Sequence, residues 1–300
     1  MGYLSQKKKK TNTRELLNLL LGAIGVCCFI VLFFDSLRIS EQLSHWLFQI
    51  YVCALVFFIY SFVSKFYWQG FGLLLCALVL FFKIGMGGNL FTNIKTDGSQ
   101  ELKILYQNNT KDPYKTLKHV YKYQADIAAV LTKEKGNIKT QPLTKAHFNT
   151  SDGGTVLTTY KFSRSGEVLL SENSRAAFVD IKTRNKEIVF ISLDFSKISH
   201  QEQKIALHNL AEFINMQDVA VIVIGHFGQE SWSSDFLDFL EETKLEVKNK
   251  ILLSDGKQYF NPFKMPAINV LAYKDFGIKG IQFLPAAKKD THALLVSINY

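Results

Sequence analysis

The sequence predicts an α+β protein in which three N-terminal transmembrane helices precede a domain of two sheets packed face to face with helices outside. Three observations carry this reading. Long uncharged apolar runs fill the first third, strand-like and helix-like runs alternate over the last two hundred residues, and all four cysteines fall in the apolar runs.

Leu16 to Phe34, "LLNLLLGAIGVCCFIVLFF", carries no charge and is of spanning length, because roughly 20 apolar residues cross a ~30 Å hydrocarbon layer. Trp46 to Val63 and Trp68 to Phe82 are similar but shorter. The run Lys7 to Lys10 resembles the charged start of an export signal. Two further spans follow, however, and no small-x-small cleavage site stands out after Phe34, so retention is expected. Lys7 to Lys10 and Arg14 flank the first span, and Lys65 lies in the tight second loop. Positive flanks stay cytoplasmic, which predicts a multi-pass cell-membrane protein with a cytoplasmic N-terminus and an extracytoplasmic C-terminal domain.

The expected boundaries are a membrane domain over 1–85, a polar glycine-containing linker over 86–101, and a globular domain over 102–300. Cys27, Cys28, Cys53 and Cys76 all lie in the membrane domain, so the globular domain has neither a disulfide framework nor a cysteine metal site. From residue 85 onward, 27 Lys plus Arg against 23 Asp plus Glu leave a charge of +4. That is too mild to argue for nucleic-acid binding.

Within the globular domain, "LKILYQ" (Leu102 to Gln107) reads as a strand. "DPYKTLKHVYKY" follows as a helix with Asp112 at the cap and Pro113 in the first turn. "DIAAVL" (Asp126 to Leu131) is a buried strand. "TVLTTYKF", "EVLL", "RAAFVDI" and "EIVFISLDF" form a meander, broken by "SRSG" and "TRNK". Ser199 and Glu202 make a capping-box signature ahead of Ile205, Leu207, Leu210, Phe213 and Ile214 at helical spacing. "VAVIVI" (Val219 to Ile224) is of central-strand type, and "INVLAY" with "HALLVSI" closes the chain as a last pair.

The order of these pieces, with "LKILYQN" ending on Asn108, "ADIAAVL" after Asp126, and "VAVIVIGHFG" leading to Trp232, Ser233 and a helix, resembles the endonuclease/exonuclease/phosphatase superfamily. The likeness is closest to its bacterial membrane-anchored branch. It implies a four-layer α/β/β/α sandwich and a metal-dependent phosphoesterase site. It also implies the positions of that site: Asn108, Asp194 where the mid-domain histidine would stand, His226 in place of the aspartate of a Gly-Asp-Phe-Asn turn, and His292. Gly228 replaces the asparagine of that turn. Thr132 stands where the metal-binding glutamate belongs, and Glu134 takes its place only if the strand end is shifted by two. The late Asp-His falls on Asn269 and Val270, and the closing Ser-Asp-His appears as Asp290, Thr291 and His292.

The resemblance implies magnesium as cofactor, and the residues argue against it. Magnesium prefers carboxylates and water in octahedral geometry, whereas Thr132 offers a neutral hydroxyl and His226 a nitrogen. A repurposed zinc site from Asp194, His226 and His292 is the alternative. His200 and His208 read as exposed helix surface, and His147 as a loop residue. Arg164 and Arg175 read either as a phosphate patch or as a solvated strand edge. Tyr259, Phe260 and Phe263 read either as a ligand wall or as core. The resulting expectation is a catalytically impaired, binding pseudoenzyme at the cell envelope. Its partners are the lipid bilayer and a phosphate-containing envelope ligand or membrane protein, with no nucleic acid. The alternative is a working phosphoesterase on lipid or envelope phosphates, using Glu134 with Asn108 and His292.

Overall fold

The computed structural model describes residues 2–33, 43, 46–88, 100–110, 113–132, 146–149, 154–229, 233–248, 268–284 and 292–300. The chain divides into two compact units: residues 1–88 with two short later segments, and the remainder.

The first unit is helical: α1 (Gly2–Phe33), α2 (Leu47–Val63) and α3 (Tyr67–Gly88). Among the described residues, two stretches are long and apolar enough to cross a membrane, Asn12–Phe33 and Tyr67–Ile84. α2, expected as the second span, is a shorter apolar helix of 17 residues that ends where Ser64 and Lys65 (φ 63°) turn the chain. α2 and α3 form an antiparallel hairpin, with ring contacts Phe62–Tyr67 at 5.6 Å and Tyr51–Phe81 at 6.2 Å. α1 runs parallel to α3. The Gln69 side chain donates to Asn18 Oδ1 at 3.0 Å near one end, and Cys28 Sγ approaches the Cys76 carbonyl further along.

The second unit is an α+β sandwich of two sheets, each with six strands among the described residues. In chain order it contains β1 (Glu101–Thr110), α4 (Pro113–Tyr123), β2 (Ile127–Thr132), β3 (Ala146–Asn149), β4 (Gly154–Thr158), β5 (Phe162–Ser171), β6 (Ser174–Lys182) and β7 (Glu187–Asp194). Then follow α5 (His200–Asn215), β8 (Ala220–His226), α6 (Ser234–Thr243), β9 (Glu246–Val247), β10 (Ile268–Ala272), β11 (Gly277–Leu284) and β12 (His292–Asn299). The first sheet has the order β11-β12-β1-β2-β4-β3 and the second β5-β6-β7-β8-β10-β9.

Alternation within strands builds the core. Leu102, Ile104 and Tyr106 of β1, Phe190 of β7, Ile222 and Ile224 of β8, and Leu294, Val296 and Ile298 of β12 share the buried cluster between the sheets. Each fully buried aliphatic contributes about 1.5–3 kcal/mol. Leu105, Ala128, Val130 and Leu157 take the opposite parity and pack with Val120 of α4. On α5 the buried stripe is Ala206, Leu207, Leu210, Ala211 and Ile214, and Ile205 is exposed instead. Ser199 caps α5 as read: its hydroxyl accepts from Glu202 N–H while the Glu202 carboxylate accepts from Ser199 N–H at 3.0 Å.

Three strand readings are corrected. "TVLTTYKF" is not one strand: Thr159 N–H donates to the Asp126 carbonyl at 2.9 Å and Tyr160 N–H to Thr158 Oγ1 at 3.0 Å, turning the chain from β4 in the first sheet to β5 in the second. "SRSG" lies inside β5 rather than ending a strand. "INVLAY" and "HALLVSI" are not neighbours, since β10 is in the second sheet and β12, paired with the unforeseen β11, is in the first. The expected linker is partly strand and helix: α3 reaches Gly88 and β1 begins at Glu101.

Candidate functional site

Strand register brings the four site positions together in two pairs. Asn108 at the end of β1 stands opposite His292 at the start of β12. Asp194 at the end of β7 stands opposite His226 at the end of β8. Counting by twos from the buried residues Phe190 and Ile224 puts Asp194 and His226 on the inter-sheet face of the second sheet. Hydrogen bonding ties the two sheets at this end: Tyr106 Oη donates to the Leu193 carbonyl at 3.2 Å. Tyr106 is two residues before Asn108, and Leu193 is one residue before Asp194.

This tyrosine is the residue that sequence reasoning missed. Burial pushes its phenol well above the ordinary value, the Asp194 carboxylate pushes the same way, and the His226 backbone partly offsets both. It therefore stays neutral and acts as a donor. Ser192, two residues before Asp194, has a buried hydroxyl without a hydrogen-bond partner.

The turn after β8 is built by its glycines. A Cβ on Gly225 would stand 2.2 Å from the Leu193 carbonyl oxygen, so only glycine lets β7 and β8 approach there. Gly228 has φ +70°, and a Cβ there would stand 2.3 Å from Gln203 Nε2. That amide donates to the Phe195 and Ile198 carbonyls at 3.3 and 3.2 Å, bracing the loop between β7 and α5. Phe227 is buried between the Phe195 and Phe239 rings, each 6.1 Å away.

The polar side chains at this end hold the turns. His226 Nδ1 accepts from Gly228 N–H at 3.1 Å, so the neutral ring carries its proton on Nε2. Asp194 Oδ1 accepts from Ser196 N–H at 2.9 Å. These donors do not fit a magnesium site. One Asp194 oxygen and one imidazole nitrogen are already committed to backbone, and position 132 at the end of β2 is threonine. Among the described residues no group of three or more His, Cys, Asp or Glu could hold a metal ion.

Other candidates fall elsewhere. Val270 lies in the inter-sheet core and Asn269 is buried opposite Gly225. Arg164 pairs with Asp180 at 2.7 Å and donates to Gln217 Oε1, and Arg175 pairs with Glu167 at 3.1 Å. Both arginines thus have local partners on and beside the strand edge. His147 lies in β3 rather than a loop. Glu134, Trp232, Tyr259, Phe260, Phe263, Asp290 and Thr291 lie outside the described residues.

No protein-family model matches the chain. A curated G-type lectin S-receptor-like serine/threonine-protein kinase of Arabidopsis thaliana is 24% identical over 130 residues, which cover 38% of this chain and 15% of that protein. Solved structures give the broader likeness. D. rerio TDP2, complexed with a single-strand DNA product, is 11% identical with a TM-score of 0.52 over 67% of this chain and 100% of its own. An endonuclease/exonuclease/phosphatase protein of Bacteroides vulgatus is 12% identical with a TM-score of 0.51 over 67% and 99%. One of Bacteroides thetaiotaomicron is 12% identical with a TM-score of 0.50 over 66% and 95%. The sandwich that begins at Glu101 therefore has the fold of the endonuclease/exonuclease/phosphatase proteins.

Proposed function

We propose that this chain is a membrane-anchored protein of the bacterial cell envelope, displaying a degenerate domain of this fold outside the cytoplasm and acting by binding a phosphate-containing ligand or membrane partner. The observation that carries the binding reading is the commitment of Asp194 and His226 to their own turns, beside a threonine at position 132. Hydrolysis in this fold asks for carboxylates free to hold a metal, worth several kcal/mol of transition-state stabilisation.

Membrane anchoring is supported by where apolar surface lies. Among the described residues of the sandwich, the exposed large hydrophobics are Leu169, Ile205 and Met216, whereas the helices expose many, including Leu19, Phe33, Val63 and Phe71. Such a surface suits lipid. Trp46 and Trp68, 62% and 85% exposed, begin the two arms of the antiparallel hairpin and so mark its opposite ends, as interfacial aromatics do. An apolar helix near the N-terminus also fits an export signal. The parallel packing of α1 on α3 through Asn18 and Gln69 favours a retained helix.

The second reading, a working phosphoesterase using Asn108, His292 and a shifted Glu134, is favoured by the direct Asn108–His292 register. The experiment is turnover of bis-p-nitrophenyl phosphate and p-nitrophenyl phosphate by the full chain in lipid nanodiscs, with magnesium, manganese or zinc. The binding reading expects no metal-dependent release of nitrophenol. Saturable, magnesium-dependent turnover that is lost in Glu134→Gln establishes the second.

A further inference from the structure

We propose that the outer face of the first sheet carries a binding cavity for a small primary amine with an apolar body, separate from the paired positions at the other end of the sandwich. The cavity is about 500 Å³, a size that suits small ligands. Val120 and Ala125 at the end of α4 and Leu157 of β4 give it apolar walls, and Tyr121 and Asp126 line it as well. It lies level with Lys103, whose backbone N–H donates to Asp126 Oδ2 at 2.9 Å. Asn108 is five residues further along β1, roughly 17 Å at ~3.3 Å per residue.

Two polar groups define the ligand. The Tyr121 hydroxyl is buried and has no hydrogen-bond partner. Orphaned hydroxyls are uncommon because each forfeits its hydration. The Asp126 carboxylate has the Lys103 N–H and the Thr159 side chain as hydrogen-bond partners and feels the Lys103 charge against that of Glu101, yet makes no direct ion pair with a Lys or Arg side chain among the described residues. Burial holds its pKa above the ordinary value, which means the charge is poorly solvated. An ammonium group answers both: it neutralises Asp126 and donates to Tyr121 Oη, while an apolar body fills the space beside Val120 and Leu157. A neutral ligand adds no charge to offset the burial that the Lys103 and Thr159 contacts leave dominant, and an anion is repelled.

The test uses the full chain in lipid nanodiscs, with empty nanodiscs as blank and saturation-transfer NMR as readout. The probes are benzylamine, cyclohexylamine and the neutral benzyl alcohol. Saturable binding of an amine, at least about tenfold tighter than benzyl alcohol, is expected. Asp126→Asn abolishes that preference, and Leu157→Trp, which fills the cavity, abolishes binding. Thermal unfolding confirms that each variant is folded, and Tyr121→Phe provides a third variant, weakening the amine several-fold. Equal binding of amine and alcohol, no saturable binding of either amine, or amine binding unchanged in folded Asp126→Asn or Leu157→Trp overturns the proposal.

Discussion

Asp194 and His226 face one another across the parallel pair β7–β8, and each accepts a backbone N–H two residues further on, from Ser196 and Gly228 respectively. The same local device closes both turns. In the proposed binding role, these atoms shape the chain rather than face a substrate.

Restoring one missing carboxylate should therefore not restore hydrolysis. His226→Asp is expected to remain inactive with magnesium, because groups that act as a unit are strongly non-additive. Thr132, Gly228 and Val270 still depart from the phosphoesterase pattern. The new carboxylate can accept the Gly228 N–H, so the fold is retained. The check is bis-p-nitrophenyl phosphate turnover beside the parent protein; magnesium-dependent activity above parent shows that the remaining ligands are present.

Gly228→Ala should destabilise the sandwich by about 1–3 kcal/mol, the usual cost of a side chain forced into a left-handed conformation. In thermal unfolding this lowers Tm by several degrees. Adding Gln203→Ala removes the clash at 2.3 Å but leaves the positive φ and the 2.9 Å approach to the Phe195 carbonyl, so the double variant should recover only part of the loss when compared with Gln203→Ala alone, which already lacks the bracing amide. Full recovery would assign the whole cost to the clash.

Asp126 gives stability a definite pH dependence. Burial holds its folded-state pKa above the ordinary aspartate value. As pH rises past that value, the unfolded chain loses its proton first, and stability falls until the folded pKa is passed. Asp126→Asn should therefore raise Tm at neutral pH and bring no gain below about pH 3. A variant that is less stable at pH 7 shows that the Lys103 N–H contact outweighs the burial penalty.

Reporter fusions test the topology. An export-dependent reporter fused after Tyr300 is expected to be active, and a cytoplasm-dependent reporter near Lys65 likewise. The reverse pattern overturns the orientation read from Lys7 to Arg14.

Much of this architecture was legible because it is local. The periodicity of α5 and its Ser199–Glu202 cap, the apolar run of β8, and the strand ends carrying Asn108, Asp194, His226 and His292 are all written in short stretches. What was missed is long-range. The partner of the Tyr106 hydroxyl lies 87 residues away, and nothing in "LKILYQ" distinguishes that tyrosine from a core aromatic. β11, "GIKGIQFL", holds two glycines and a lysine, which hide a strand that exists by pairing with β12. Periodicity also cannot say which sheet a strand joins. The break between β4 and β5 depends on Thr159 reaching Asp126, 33 residues back.

The sheet order carries a consequence for biogenesis. β1 is hydrogen-bonded on one side to β2 and on the other to β12, so the first sheet closes only when residues almost 200 positions apart meet. Every strand of the second sheet is made in between. Until His292–Asn299 has emerged, β1 presents an open hydrogen-bonding edge and one wall of the inter-sheet core is missing, a state prone to mispairing. Maturation of the domain is thus gated by its last strand rather than built up strand by strand. A polypeptide stopped before that point is a substrate for chaperones and proteases, not a smaller version of the folded domain.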